Sequence, residues 1–262
     1  MPKPLSRLAL TTALLFAAAL GLRAANAPAP AKENLIAKVL PWVGKPARET
    51  PGKLLLQKGN GIVAIGDSIT AGGGYLRDID AALAGLYPAL QLPKIINAGI
   101  GGQKAEDLVG RFQRDVVDRK PAVVTLSIGI NDVWHRLNAP HDEQVLKAYK
   151  ENVAKMVAMA QAKGIKVILL TPTLIQEDPA AEGNQRLVQY VDAMKAIAQA
   201  KKCGLADLHG MFLEALKHKP AGVQGNWLTG DGVHMQPLGD AVMAAGVLRA
   251  LGVPDRSLAQ AK

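Results

Sequence analysis

Short apolar runs alternate with longer amphipathic segments from about residue 60 to the last helix-like segment of the chain. Five of these runs are nearly continuous in apolar residues, which is typical of strands that are buried on both faces. They are residues 61–66, 94–97, 122–128, 166–171 and 205–208. The pattern therefore predicts five buried strands.

The segments between these runs have a helical period. In residues 145–160 the apolar positions are spaced by four, four, three and four residues, which places them on one face of a helix; they are Val145, Tyr149, Val153, Met156 and Ala160. Residues 185–202 show a similar pattern in Leu187, Val188, Val191, Met194, Ile197 and Ala198. Buried strands that alternate with helices predict an α/β domain, a three-layer α/β/α flavodoxin-like fold with a five-stranded parallel sheet. In such sheets ligands bind at the carboxyl ends of the strands, so we expect the chemistry just after each apolar run.

Residues 1–27 predict a secretory signal peptide. Lys3 and Arg7 precede an uncharged apolar run over residues 8–22, and small residues follow it. The run is shorter than the roughly 20 apolar residues of a spanning helix. An uncleaved N-terminal anchor is the alternative, and the cleavage position is left open because Pro28 follows the small residues directly. We therefore expect a periplasmic or secreted protein without stable membrane insertion once the signal is removed.

Three further segments follow the signal peptide. Residues 28–57 are rich in Pro and Ala and contain a short amphipathic piece over 33–40, so we interpret them as a leader segment that wraps onto the domain. Residues 58–253 form the predicted domain, and residues 254–262 a C-terminal tail.

Composition and charge narrow the functional classes. Apolar residues make up 49% of the chain but aromatic residues only 4%, so the core must be aliphatic. Without residues 1–27 the formal charge falls from +9 to +6, and the basic residues are scattered without aromatic interleaving, which indicates a solvated surface and no nucleic-acid partner. Cys203 is the single cysteine, which excludes an intramolecular disulfide and a cysteine-based metal site.

Ser68 is the candidate nucleophile. It lies where the first predicted strand turns into a helix, so that its hydroxyl can face the cleft and backbone N–H groups can point at an incoming carbonyl. A serine needs an adjacent base to become a nucleophile, and taken alone Gly66-Asp67-Ser68 is more typical of a helix N-cap. Apart from Ser68, residues 28–262 offer Ser127, inside a buried strand, and Ser257, in the polar tail.

His234 is the candidate base for Ser68. Asp231 lies three residues before it, a spacing that lets the carboxylate reach round one turn to the imidazole Nδ1–H. His209 follows Asp207 in an Asp-x-His arrangement and is the alternative base.

Gly99 and Asn131 are candidate oxyanion donors. The Gly99 backbone can approach a substrate closely because it has no side chain, and Asn131 offers a side-chain amide at the end of the third strand. Taken alone, both sequences are also typical of turns. The glycines after Asn97 do not complete a dinucleotide-binding motif, since position 104 is Lys.

Together and in this order, the polar blocks resemble the SGNH (GDSL-like) hydrolase family. The matching blocks are Gly66-Asp67-Ser68, Gly99, Gly129-Ile130-Asn131-Asp132 and Asp231-Gly232-Val233-His234, and the resemblance spans residues 60–251. It implies a catalytic triad of Ser68, His234 and Asp231, with an oxyanion hole formed by the Ser68 N–H, the Gly99 N–H and the Asn131 side chain. It also implies hydrolysis of esters with no cofactor and no metal. Ile69 replaces the name-giving Leu, and Gln103-Lys104 stands where relatives often carry a small hydroxyl residue, which leaves the local substrate contacts open.

Three functions are compatible with these residues. The first is a secreted O-acetylesterase acting on carbohydrate, whose partner is a small-molecule or carbohydrate ester. The second is a lysophospholipase or acyl thioesterase, which needs an apolar slot; the candidates for its walls are Val133, Trp134, Leu137, Leu174 and Ile175. The third is a catalytically silent carbohydrate-binding module. The oligomeric state is left open, and the tract from Gly72 to Tyr75 is either a lining of the cleft or a turn before a helix.

Overall fold

A computed structural model describes residues 33–45 and 53–260 of the chain. The predicted signal peptide, residues 1–27, lies outside the described residues, as do residues 28–32 and 46–52 of the predicted leader. The division of the chain into signal, leader, domain and tail therefore stays a prediction.

Five parallel strands form one sheet within the described residues, in the order β2-β1-β3-β4-β5. The strands are β1 Ile62–Gly66, β2 Ile96–Gly99, β3 Val123–Ser127, β4 Lys166–Leu170 and β5 Gly204–Ala206. This confirms the predicted sheet and its flavodoxin-like order. The predicted ranges differ most at β2, which begins two residues later than expected and is exposed at Ile96 and Asn97, because it is an edge strand covered less than the central ones.

The helices of the described residues lie in two groups with the sheet between them. They are α1 Leu35–Val39, α2 Ser68–Gly72, α3 Gly74–Leu86, α4 Ala105–Asp115, α5 Ile130–Trp134, α6 Glu143–Gln161, α7 Glu182–Lys201, α8 Leu208–Leu216, α9 Pro237–Ala250 and α10 Asp255–Leu258. Helices α1, α3 and α8 pack against α9, whereas α4 and α7 pack against α6. The fold is therefore the predicted three-layer α/β/α arrangement.

The core follows most of the predicted periodicity: one predicted position is exposed, and Val145 and Ile197 are half-buried. All five residues of β1 and of β3 are buried, and so are the predicted positions Tyr149, Val153 and Met156 of α6. On α7 the predicted position Val188 is wrong, because it is exposed. The buried face of α7 runs through positions 187, 191, 194 and 198, which are spaced by four, three and four residues. Residue 188 directly follows 187, so its side chain points to a different side of the helix.

The segments that flank the domain in sequence pack onto it where they are described. Ile36 and Val39 of α1 are buried, and α1 packs against α9. The Leu55 N–H donates to the Leu251 carbonyl, and the Asn34 side chain donates to the Leu258 carbonyl. Leu258, within the predicted tail, is fully buried on α10.

The carboxyl ends of three neighbouring strands meet at one edge of the sheet. The register pairs Gly66 of β1 with Gly99 of β2 on one side and with Ser127 of β3 on the other. The loops that carry the predicted site residues therefore begin side by side. Among the helices of the described ranges, none combines the length and the apolar character needed to cross a bilayer.

Candidate active site

Ser68 begins helix α2 immediately after β1, and its neighbour Asp67 is the residue that caps this helix. The buried Asp67 carboxylate accepts a hydrogen bond from the Ile69 N–H at 3.0 Å. Because Asp67 does the capping, the Ser68 hydroxyl is left available for another partner. Gly66 makes this tight turn possible, since a Cβ there would lie 2.2 Å from the Thr70 Oγ1.

The Ser68 hydroxyl, His234 and Asp231 form a continuous chain of hydrogen bonds. Ser68 Oγ lies 2.8 Å from His234 Nε2, and His234 Nδ1 lies 2.7 Å from Asp231 Oδ2. The predicted nucleophile, base and acid thus come together although Ser68 is 166 positions away from His234. A serine hydroxyl that donates to an imidazole, which in turn donates to a carboxylate, has the geometry required for activation of a nucleophile.

The Asp231 carboxylate is held in its ionised form. Burial raises its pKa, but the hydrogen bonds from the His234 side chain and from the backbone N–H groups of His234 and Val233 have the larger combined effect and lower the pKa to about 2. These N–H groups lie 2.8 and 3.0 Å from Asp231 Oδ1. Asp231 therefore carries a negative charge at neutral pH and can orient the His234 ring.

Asn131 lies at the start of α5, just after the end of β3. The preceding Gly129 has φ +128°, a conformation that favours glycine, and it lets the chain turn from strand into helix. Asn131 is buried, and its side-chain amide donates one hydrogen bond to the Gln103 carbonyl at 3.0 Å. The amide nitrogen has a second hydrogen that is not used by this bond.

The structure places Gly99 in a packing contact. Its N–H donates to Asn97 Oδ1 at 2.9 Å, and a Cβ at Gly99 would lie 2.2 Å from the Ala71 backbone nitrogen. Gly99 therefore lets β2 approach α2 closely, while its N–H already has an acceptor. Further along the same turn, a Cβ at Gly101 would lie 3.8 Å from Ser68 Cβ. Within the described part of the chain, the N–H groups of Gly101 and Gly102 make no hydrogen bond.

A buried arginine that the sequence reasoning missed ties these loops together. Arg111 of α4 donates to the carbonyls of Gly66 and Ala98 and to the Gln103 side chain, and it pairs with Asp115 at 2.9 Å. It thus joins the ends of β1 and β2 to the turn that Asn131 contacts. A charged residue at the spacing of the buried apolar face of α4 was the signal that could have found it.

Asp132, next to Asn131, has a buried carboxyl group that contacts the N-terminal end of α4. Its oxygens accept the Ala105 N–H at the start of α4. Burial raises the pKa of Asp132 to about 7, and the hydrogen bond from Ala105 opposes this rise.

Two large apolar side chains that follow β2 and β3 in the chain are exposed. The Trp134 ring lies edge-on to the His234 ring with centroids 6.3 Å apart, and 37% of Trp134 is exposed. Ile100, in the turn after β2, is also exposed. By contrast, three of the predicted slot residues, Val133, Leu174 and Ile175, are buried in the core.

Two alternatives from the sequence have other roles. Tyr75 does not line the cleft: it is fully buried, and its hydroxyl is hydrogen-bonded to Thr70 Oγ1 at 3.1 Å. The tract before it is the junction of α2 and α3, with Gly73 at φ +67°. The alternative base, His209, is buried with its Nδ1 2.6 Å from the Thr173 carbonyl.

With this geometry established, the comparison with known proteins decides the family. Residues 64–242 match the GDSL-like lipase/acylhydrolase family. The chain belongs to this family. This confirms the predicted resemblance to the SGNH (GDSL-like) hydrolases, and the protein is a carboxylic ester hydrolase of the GDSL type.

Two similar proteins with a named activity are esterases. The chain is 30% identical over 213 residues to the acetylxylan esterase of Geobacillus stearothermophilus, which covers 74% of this chain and 94% of that protein. It is also 30% identical over 141 residues to the esterase TesA of Pseudomonas aeruginosa, which covers 54% of this chain and 61% of the relative.

Solved structures of similar proteins extend the likeness to the fold. The Geobacillus acetylxylan esterase superposes with a TM-score of 0.67 at 29% identity, over 75% of this chain and 96% of that one. LAE5, an alpha/beta hydrolase enzyme from the metagenome of Lake Arreo in Spain, superposes with a TM-score of 0.68 at 30% identity, over 76% and 98% of the two chains. Structures of the Geobacillus enzyme include three catalytic mutants, in which a serine, an aspartate or a histidine is replaced by alanine.

Proposed function

We propose that this GDSL esterase is an exported carbohydrate O-acetylesterase that works through a triad of Ser68, His234 and Asp231. The observation that carries the proposal is the chain of two short hydrogen bonds from Ser68 through His234 to Asp231. The catalytic mutants of the similar acetylxylan esterase affect the same three residue types.

The proposed first step forms an acetyl-enzyme. Ser68 Oγ attacks the acetyl carbonyl carbon while its proton passes to His234 Nε2, and the carbonyl oxygen becomes a negatively charged oxyanion. Asp231 stabilises the resulting imidazolium. The tetrahedral intermediate then collapses, the bond to the sugar oxygen breaks, and His234 returns its proton to the departing sugar hydroxyl.

The proposed second step frees the enzyme. A water molecule gives its proton to His234 Nε2 and attacks the acetyl-Ser68 carbonyl carbon. The second tetrahedral intermediate releases acetic acid, and His234 protonates Ser68 Oγ. The balanced outcome is one ester and one water converted into one alcohol and one acid.

The proposed oxyanion hole consists of backbone and side-chain N–H donors. We propose the Ser68 N–H and the unused Asn131 amide hydrogen for two of the donors. In place of Gly99, whose N–H already donates to Asn97, we propose the Gly101–Gly102 turn for the third, because its N–H groups lack an acceptor within the described residues and Gly101 lies beside Ser68. Preorganised donors of this kind stabilise the charge that develops on the oxygen.

Two features support a short acyl group on a sugar. Three of the five side chains considered for a long acyl slot are core residues, so they do not line an open channel. The exposed Trp134 ring beside His234 offers a flat apolar face, which suits the C–H face of a pyranose ring. Export, predicted from residues 1–27, would bring the enzyme to extracellular polysaccharides.

The first experiment compares hydrolysis of p-nitrophenyl acetate, p-nitrophenyl octanoate and acetylated xylo-oligosaccharides, with Ser68→Ala as the blank. We expect activity on acetate and on the acetylated oligosaccharide, weak activity on octanoate, and none in Ser68→Ala. A strong preference for octanoate would instead favour the lysophospholipase or thioesterase alternative. Absence of Ser68-dependent turnover, together with absence of fluorophosphonate labelling, would favour the silent binding module.

Trp134 gives a sharper test of the sugar assignment. Replacement by alanine should raise KM for the acetylated oligosaccharide about two- to tenfold, the size of a single stacking contact, and change KM for p-nitrophenyl acetate less. Val188→Ala removes an exposed apolar side chain on α7 and is the matched control. Equal effects of Trp134→Ala on both substrates would contradict the sugar platform.

A further inference from the structure

We propose that Glu177 is a positioning residue that holds the loop carrying Asp231 and His234 in its active geometry. Glu177 lies in the connection between β4 and α7, and the loop in question, residues 226–236, is called the acid–base loop below. This inference rests on the proposed triad and adds a residue outside the four sequence blocks of the family resemblance.

The Glu177 carboxylate accepts four hydrogen bonds from three consecutive residues of the acid–base loop. Its Oε2 accepts the Trp227 N–H at 2.7 Å. Its Oε1 accepts the Leu228 N–H at 2.7 Å, the Thr229 N–H at 2.6 Å and the Thr229 hydroxyl at 2.7 Å. Within the described residues these three N–H groups have no other acceptor. Charge-assisted bonds of this kind are stronger than bonds between neutral groups, so one side chain fixes the segment that leads into Asp231.

The rest of the acid–base loop depends on this segment. The Gln236 N–H donates to the Leu228 carbonyl and its side chain donates to the Thr229 carbonyl. The Gly230 N–H donates to the His234 carbonyl at 2.8 Å, so that Asp231 and His234 lie within a turn closed at its base. A shift of residues 227–229, where this turn is closed, would therefore move the side chains of both Asp231 and His234.

A second contact joins the same two segments. The Gln176 N–H, next to Glu177, donates to the Gly232 carbonyl at 2.7 Å. Gly232 has φ +95°, and a Cβ there would lie 3.1 Å from Gln176 Cα, so the two backbones are in close contact. The β4–α7 connection thus holds the acid–base loop at its base through Glu177 and between Asp231 and His234 through Gln176.

The expected consequence concerns the rate of reaction more than substrate binding. His234 Nε2 must stay within hydrogen-bond distance of Ser68 Oγ, and a displacement of about 1 Å in an active site can reduce the rate about 100-fold. Trp134, the proposed sugar contact, lies on α5 and not on the acid–base loop. Loss of Glu177 should therefore lower kcat and leave KM nearly unchanged.

The experiment compares Glu177→Ala, Glu177→Gln and the control Asp178→Ala on p-nitrophenyl acetate and in the rate of fluorophosphonate labelling. Glutamine keeps one acceptor oxygen but presents an amide to one of the loop donors, so it should restore part of the function. We expect kcat and the labelling rate to fall about 10- to 100-fold in Glu177→Ala and about 3- to 10-fold in Glu177→Gln. Asp178 is exposed, and within the described residues its side chain accepts only the Ala180 N–H, at 2.9 Å, so its removal should leave both rates within about twofold of wild type.

Each outcome decides the inference. A kcat of Glu177→Ala within twofold of wild type would overturn it. If Glu177→Ala does not fold, Glu177→Gln decides: a lower melting temperature with unchanged kcat and labelling rate would make Glu177 a purely structural residue. Full activity in Ser68→Ala would overturn the triad itself, which is a different result from an inactive Ser68→Ala accompanied by fully active Glu177 variants.

Discussion

At the scale of single residues, the candidate site depends on which neighbour satisfies each polar group. Asp67 caps α2, which leaves the Ser68 hydroxyl for His234, and Asn97 accepts the Gly99 N–H, which takes that donor away from a substrate. Both assignments concern side chains one or two residues apart in sequence. The motif Gly66-Asp67-Ser68 was sufficient to select the serine, but only the hydrogen bonds distinguish the capping residue from the candidate nucleophile.

Replacement of Asn131 by alanine should slow catalysis. We expect kcat on p-nitrophenyl acetate to fall on the order of 10²–10³-fold with little change in KM, because an oxyanion donor acts mainly in the transition state. Initial-rate kinetics and a thermal melt check this. The alanine variant also loses the bond to the Gln103 carbonyl, so a lower melting temperature with unchanged kcat would assign Asn131 to structure only.

Asp132 should make the protein less stable as the pH rises. Burial raises its pKa to about 7 from the ordinary 3.8, so the folded state keeps a proton that the unfolded chain releases above pH 4. The contribution of this group is present below about pH 4 and is lost as the pH rises towards 7.

Asp132→Asn tests this because its side chain stays neutral. The free energy of unfolding of Asp132→Asn, measured by urea denaturation, should rise relative to wild type by a few kcal/mol between pH 4.5 and pH 8. Parallel pH profiles for the two proteins would show that Asp132 does not titrate in this range.

At the scale of elements, the contact between β2 and α2 sets the position of Ser68. The two backbones approach so closely at Gly99 that a methyl group would lie 2.2 Å from the Ala71 nitrogen and 2.6 Å from the Thr70 carbonyl carbon. Because both of these atoms belong to the backbone, no flexible side chain can move aside to make room for the methyl group. Gly99 is therefore required by packing, whichever glycine N–H faces the oxyanion.

Gly99→Ala should displace α2 and reduce stability and reactivity together. Overpacking costs about 1–3 kcal/mol, and we expect the upper part of that range here together with slower fluorophosphonate labelling of Ser68. Gly72→Ala is the matched control, since Gly72 lies on the same helix and a Cβ there would meet nothing within 4 Å. Similar melting temperatures for both variants would contradict the packing role.

At the scale of the whole molecule, the described part of the N-terminal segment completes the layer formed by α3, α8 and α9. Helix α1 packs on α9. Arg249 of α9 donates a hydrogen bond to the Gly44 carbonyl and forms an ion pair with Asp255, the first residue of α10. Residues before β1 and residues after α9 thus stabilise the same face of the domain.

Val39→Ala tests this contribution. Val39 is fully buried on α1, so we expect a loss of about 1–3 kcal/mol in the free energy of unfolding, with kcat unchanged because α1 carries none of the proposed triad residues. Urea denaturation measures the loss, and the exposed Lys45→Ala is the control. A loss below about 0.5 kcal/mol, which is the level of an ordinary surface substitution, would show that α1 contributes little.

The amino-acid sequence by itself determined the sheet, the alternation of strands and helices, and the identity of Ser68, Asp231, His234 and Asn131 as the residues to consider. It could do so because burial imposes a period on apolar residues that is visible along the chain, and because short motifs are local. Strand ends were less certain, since the edge position of β2 depends on neighbours that are distant in sequence.

Only the tertiary structure decided which polar groups meet. Glu177 and Arg111 contact residues about 50 and 45 positions away, Val188 lies outside the buried face of its helix, and the Gly99 N–H is used by Asn97. Hydrogen bonds between distant loops need distances near 3 Å, and such distances arise only once the layers have packed. For the same reason, the Ser68–His234 contact could be proposed from residue type but was located by the fold.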